Sequence, residues 1–207
     1  TTGMSDARGN ALRIFRFARD DIAFGFGPGF WSQKASEVLS LGRGYCNTKS
    51  TLFVALLRTA GVPARQVFVE IDTAVLYGIV DPGTPFLDHS YTEVLLDGSW
   101  VATDAYIIDP PLFRAAQARA SAEGRTFGYG VHVEGANDWD GVAPSFAQYK
   151  LNASTPLRGR RRGVFAETAA FHAEAEGTHN RLNAILRTAF GALAASANAN
   201  AEALRQA

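Results

Sequence analysis

The stretch 42-GRGYCNTKSTLFVALLRTAGVPAR-65 decides the fold. From Asn47 to Ala60 it reads as one helix, apolar without a break from Leu52 to Leu57. A helix this apolar on all sides belongs in the centre of a folded domain. Gly42 and Gly44 precede it as a turn. Gly61 is placed to cap its end, and Pro63 prevents its continuation. The only cysteine of the chain, Cys46, falls at the amino end of this helix. Free backbone N–H groups and the helix dipole there favour an anion, so a thiol at that place is favoured as thiolate. A lone cysteine is more often just a small buried hydrophobe, so Cys46 by itself decides nothing.

Upstream, Leu12, Phe15, Ala18, Arg19 and Ile22 recur at helical spacing and predict a helix over 10–22. GFGPGF breaks it, and a short second helix is expected over 36–40. Downstream the character changes. QVFVEI, beginning at Gln66, is β-branched and aromatic and reads as a strand. HSYTEVLL and SWVATDAY then flank Asp97-Gly98, a strong hairpin signal. Helices first and strands afterwards give an α+β order, not repeated βαβ units.

The hairpin gives Cys46 its context. A two-residue turn at Asp97-Gly98 pairs Leu96 with Ser99 and sets Tyr91 opposite Asp104. His89 then lies two residues along the same face, a diagonal neighbour of Asp104 within reach of its side chain. Asp104 can accept a hydrogen bond from one imidazole nitrogen while the other faces the thiol. Together these residues suggest a nucleophile, its base and the base's orienter; a structural His–Asp pair at a sheet surface is the alternative.

Taken together, GRGYCNTKSTLFVALLRTAGVPAR and HSYTEVLLDGSWVATD resemble the transglutaminase-like superfamily of papain-related thiol enzymes. The resemblance runs from Ala35 to Asp104, about a third of the chain. Its most specific parts are the Gly-x-Cys start, the LLRTAGVPAR helix end and the hairpin closing in Trp-Val-x-x-Asp. The resemblance implies Cys46 as nucleophile, His89 as general base and Asp104 as orienter. It also implies a papain/transglutaminase-like core, with the cysteine at the start of a buried helix packed on an antiparallel sheet carrying the other two. No calcium dependence, cofactor or metal is carried over. Where many members have a small residue and tryptophan after the histidine, this chain has Ser90 and Tyr91. Where proline–threonine is frequent after the aspartate, it has Ala105 and Tyr106. These departures are expected to reshape the substrate cleft. For the oxyanion, the Cys46 backbone N–H is one donor. Trp31 and Gln33 are candidates for the second, with plain packing an equal alternative for Trp31.

The rest of the chain carries weaker signals. Residues 107–163 hold a candidate helix at 112–122, glycine-rich stretches and the basic run RGRRRG, read as a solvated loop. Leu182, Ile185, Leu186, Ala189, Phe190, Leu193 and Ala197 trace one stripe of a helix expected over 180–205, its alanine- and asparagine-rich last third fraying. The expected organisation is a catalytic domain over 1–163 and a helical extension over 164–207 packed on it. His132, His172 and His179 are read as surface or capped histidines. Neither they nor Asp109, Asp138 and Asp140 make a metal pattern.

Bulk properties narrow the function. Apolar residues make up 47% and charged residues 19%, and the formal net charge is zero. No global field favours nucleic acid, and no apolar run approaches the ~20 residues of a membrane span. The beginning of the chain lacks a signal-peptide core, so the cytoplasm is expected. The expected activity is thiol-dependent acyl transfer on peptide or isopeptide amide bonds by a monomer that uses no cofactor. Hydrolysis, as a cysteine protease or amidase, is favoured through the resemblance alone. The alternatives are a transamidating transglutaminase and a non-catalytic binding domain that keeps the cleft.

Overall fold

A computed structural model describes residues 4–29, 32–148, 161–174 and 184–207. Helices α1 (Met4–Asp20), α2 (Ala35–Leu41) and α3 (Cys46–Thr59) come first. A short parallel pair, β1 (Ala23–Phe24) and β2 (Arg43–Gly44), brings the turn before α3 against the end of α1. α3 stops where the sequence says it must, with Val62 N–H bonding back to the Leu57 carbonyl.

A four-stranded antiparallel sheet follows. Its strands are β3 (Ala64–Asp72), β4 (Phe86–Leu96), β5 (Ser99–Thr103) and β8 (Arg161–Phe165), in the order β5-β4-β3-β8. Asp97 and Gly98 both have positive φ, 49° and 80°, which is the geometry of a type I′ two-residue turn. Leu96 pairs with Ser99 and Thr92 with Thr103, the register the turn dictates. On one face, Val94 and Val101 join a core with Phe15, Phe53 and Leu57. Phe53 packs on Tyr106 at 4.3 Å, and Phe15 meets both rings edge-on. On the other face, Val67, Val69, Tyr91 and Ala102 are covered by Phe146.

The second half of the chain contains α4 (Pro110–Ala122), the small hairpin of β6 (Phe127–Gly128) and β7 (Val131–His132), α5 (Thr168–Ala173) and α6 (Ala184–Arg205). Three expectations change here. Arg161–Gly163 of the basic run belong to β8, and Arg162 pairs with Glu70 on β3; residues 158–160 lie outside the described residues. The expected boundary between 163 and 164 therefore falls within a strand of the sheet. The end of α6, expected to fray, is docked: Ala197 and Ala201 lie in the main core. Asn198 exchanges two hydrogen bonds with the Phe26 backbone, at 2.7 and 2.9 Å, and Asn200 donates to the Ile79 carbonyl. Alanine lets the helix come close, and asparagine satisfies loop carbonyls that a larger apolar residue would strand. Residues 180–183 of the expected helix lie outside the described residues.

One carboxylate ties these parts together. Asp109 caps α4 by accepting from Leu112 N–H, accepts Phe24 N–H from β1 at 2.8 Å, and takes the Arg205 guanidinium of α6 at 2.7 and 2.9 Å.

Candidate active site

Cys46 is the first residue of α3, so its N–H has no acceptor within the helix. Tyr45 before it is extended, and its N–H donates to Thr48 Oγ1 at 3.0 Å, which fixes the entry to the helix. The thiol is partly exposed and lies 3.5 Å from Asn47 Oδ1. His89 stands on β4, and Asp104 one residue past β5. His89 Nε2 lies 3.1 Å from Asp104 Oδ2, and both residues are fully buried. The other carboxylate oxygen, Oδ1, accepts backbone N–H groups from Ala147 at 2.5 Å and Gln148 at 3.4 Å. Burial of the imidazole favours its neutral form. The Asp104 hydrogen bond and the hydrogen bond and charge of Cys46 outweigh that, raising the His89 pKa from 6.5 to about 9. The structure thus brings Cys46, His89 and Asp104 together, the histidine between the other two.

Of the two oxyanion candidates, Trp31 lies outside the described residues. Gln33 is buried, and its Oε1 has no hydrogen-bond partner among the described residues. Its amide rests on Gly27, where a Cβ would come within 2.8 Å of it and would push the amide aside. Gln33 also lines a cavity of about 220 Å³ beside α3, together with Thr51, Arg58, Gln66, Glu167 and Thr168.

The model of the transglutaminase-like superfamily matches residues 1–105, half of the chain, from α1 to the residue after Asp104. The chain belongs to the transglutaminase-like superfamily. Its α+β architecture, an antiparallel sheet packed with helices, is that of the family. One solved structure, from Cytophaga hutchinsonii and described as a "Putative Cysteine Protease", is similar at 21% identity and a TM-score of 0.36. The likeness covers 51% of this chain and 32% of that one, so this chain spans about a third of its length. No curated protein matches.

Within the superfamily, the two departures of this chain face inward. Ser90 and Tyr106 are fully buried, so any effect of theirs on the cleft comes from beneath it. The Tyr106 hydroxyl bridges Ser50 Oγ at 2.6 Å and Thr92 Oγ1 at 2.8 Å, and Ser90 Oγ donates to Ser50 Oγ at 3.2 Å. Burial holds the phenol well above its ordinary pKa, so this chain of hydroxyls stays neutral. It links α3, one turn below Cys46, to the strand that carries His89. Lys49 is also fully buried, donating to the Ile22 carbonyl, and burial lowers its pKa to about 7 against the opposing pull of Asp109.

Sequence reading missed several of the groups that hold the site. The Ala147 and Gln148 N–H donors come from the stretch that was hardest to place, and a backbone donor leaves no signature in side-chain identity. His132 and His172, expected as surface or capped histidines, are both buried. His132 Nδ1 accepts from the Glu134 N–H, and His172 packs against the Phe68 and Phe171 rings. His179 lies outside the described residues. Among the described residues no cluster of His, Cys, Asp and Glu could hold a metal ion, and no helix is long and apolar enough to cross a membrane.

Proposed function

We propose that this chain is a thiol-dependent acyl-transfer enzyme that hydrolyses amide bonds of a peptide or isopeptide substrate. The observation that carries the reading is the buried His89–Asp104 pair at 3.1 Å, its imidazole raised in pKa by that hydrogen bond and by Cys46 at the start of a helix. With a pKa of about 9, the imidazole holds its proton at neutral pH. The Cys46 sulfur beside it acts as the nucleophile, at a helix start that favours an anion. Sγ of Cys46 attacks the amide carbonyl, and the Cys46 N–H donates to the oxyanion that forms. As the C–N bond breaks, His89 gives its proton to the departing amine, leaving a thioester and a neutral imidazole. His89 then takes a proton from water, which attacks the thioester. The acid is released, and the proton returns to the thiolate–imidazole pair. Asp104 keeps the ring oriented and balances its charge. The enzyme acts as a monomer, α6 covering its own domain, as the burial of Ala197 and Ala201 supports.

Digestion of a proteome-derived peptide library in H₂¹⁸O, with a primary amine probe present, tests this. New carboxyl termini carrying one ¹⁸O, lost in Cys46→Ala, are expected. Peptides joined to the probe in their place make the enzyme a transamidase. Products that persist in Cys46→Ala refute thiol catalysis.

A further inference from the structure

Resting on the reading of Cys46 as nucleophile, we infer that Thr168 and Gln66 are positioning residues, which clamp the Asn47 carbonyl and thereby set the helix turn that presents the thiol. In a plain helix the Asn47 carbonyl receives one N–H from a turn later. Here three side chains converge on it: Thr51 Oγ1 at 2.9 Å, Thr168 Oγ1 at 3.1 Å and Gln66 Nε2 at 3.2 Å. They also bond to one another. Thr168 Oγ1 lies 2.9 Å from Thr51 Oγ1, 3.1 Å from Gln66 Nε2 and 3.3 Å from Gln66 Oε1. Gln66 and Thr168 are buried, so these bonds are sheltered from water.

The position of the clamp gives it consequence. The Asn47 carbonyl shares its peptide with the N–H of Thr48, in the first turn of the helix, whose N–H groups favour an anion at the helix start. Donors on a carbonyl polarise its amide and strengthen that N–H as a donor. The clamp also ties the turn to two separate elements, β3 through Gln66 and α5 through Thr168. Thr168 lies outside the residues matched by the family. A segment beyond the shared core thus acts on the nucleophile without touching it.

The test is the pH–rate profile of Cys46 alkylation by iodoacetamide in the full chain, with thermal melting recorded in parallel. Thr168→Val keeps the shape and removes the hydroxyl. Its alkylation at pH 7 should slow roughly threefold to tenfold, the worth of one hydrogen bond, and its profile should move to higher pH. Thr168→Ser should restore both. Gln66→Met should act in the same direction, and it serves where Thr168→Val fails to fold. Thr59→Val removes a comparable bond to Ala55 at the far end of α3, and it should leave the profile in place. Lower melting temperatures with unchanged profiles would overturn the clamp and leave the nucleophile standing. A wild-type thiol no more reactive than free cysteine would take down both.

Discussion

The two halves of the chain contribute to the site in different ways. Residues 1–105 carry the three side chains proposed to react, each with a strong local pattern: Cys46 on an apolar helix, His89 and Asp104 on or next to a hairpin with an Asp-Gly turn. Residues 106–207 carry what holds them. Ala147 and Gln148 give backbone N–H groups to Asp104, Thr168 reaches the Asn47 carbonyl, and Arg205 joins Asp109. The reactive groups need particular side chains, which sequence displays. The holding groups need only a donor at the right point in space, which many sequences supply.

The sharpest way to break this division is to remove the thiol. Cys46→Ala should lower turnover by at least about 10³-fold while the melting temperature hardly moves, since only one small atom is lost. Retained hydrolysis would mean that the first half does not hold the chemistry. Next in size is Asp104, where the halves meet. Asp104→Ala strands the Ala147 and Gln148 N–H groups and leaves His89 without its partner, so denaturant unfolding should show a loss of roughly 3–5 kcal/mol. Asp104→Asn should keep more activity than Cys46→Ala.

Two titrations sharpen the contrast, because they run in opposite directions. The His89 pKa is raised from 6.5 to about 9, so its contribution to stability is full below pH 6.5 and is lost as pH rises through 9. Wild type should therefore lose stability relative to His89→Gln across that window. Burial lowers the Lys49 pKa from 10.5 to about 7, with Asp109 of the second half opposing the shift and Arg205 adding to it. The cost of its burial is full below pH 7 and fades as pH rises to 10.5, so wild type should gain stability relative to Lys49→Met over that range. Urea midpoints measured between pH 6 and 10.5 would show both slopes. The smallest effect is expected at the hairpin turn. Gly98→Ala strains a φ of 80° and should cost about 1 kcal/mol by thermal melting, with activity unchanged, because the strands on either side hold the register.

Legibility followed the same division. The central helix was readable because its apolar run, its glycines and Pro63 agree, and the structure differs from the reading by one residue at each end. The pairing of Leu96 with Ser99 was readable because a two-residue turn leaves one register. The basic run was misread because charge suggests solvent, whereas Arg162 finds Glu70 across the sheet. The end of α6 was misread because alanine and asparagine look weak one by one; their worth lies in close approach and in carbonyls far away in sequence. Ser90 and Tyr106 were read only as departures from the family, and nothing local reveals that their hydroxyls turn inward to Ser50.

The Asp109 clasp also has a consequence for the order of biosynthesis. Arg205 Nη2 donates to the Phe24 carbonyl across 181 positions of sequence. β1 thus leaves the ribosome 181 residues ahead of one of its partners. Until Arg205 emerges, the Asp109 carboxylate has only backbone N–H groups and a buried lysine to offset its charge, and the alanine face of α6 is missing from the core. While it is being made, the chain therefore holds Cys46, His89 and Asp104 before the α6 partners of Asp109 and of the core are in place.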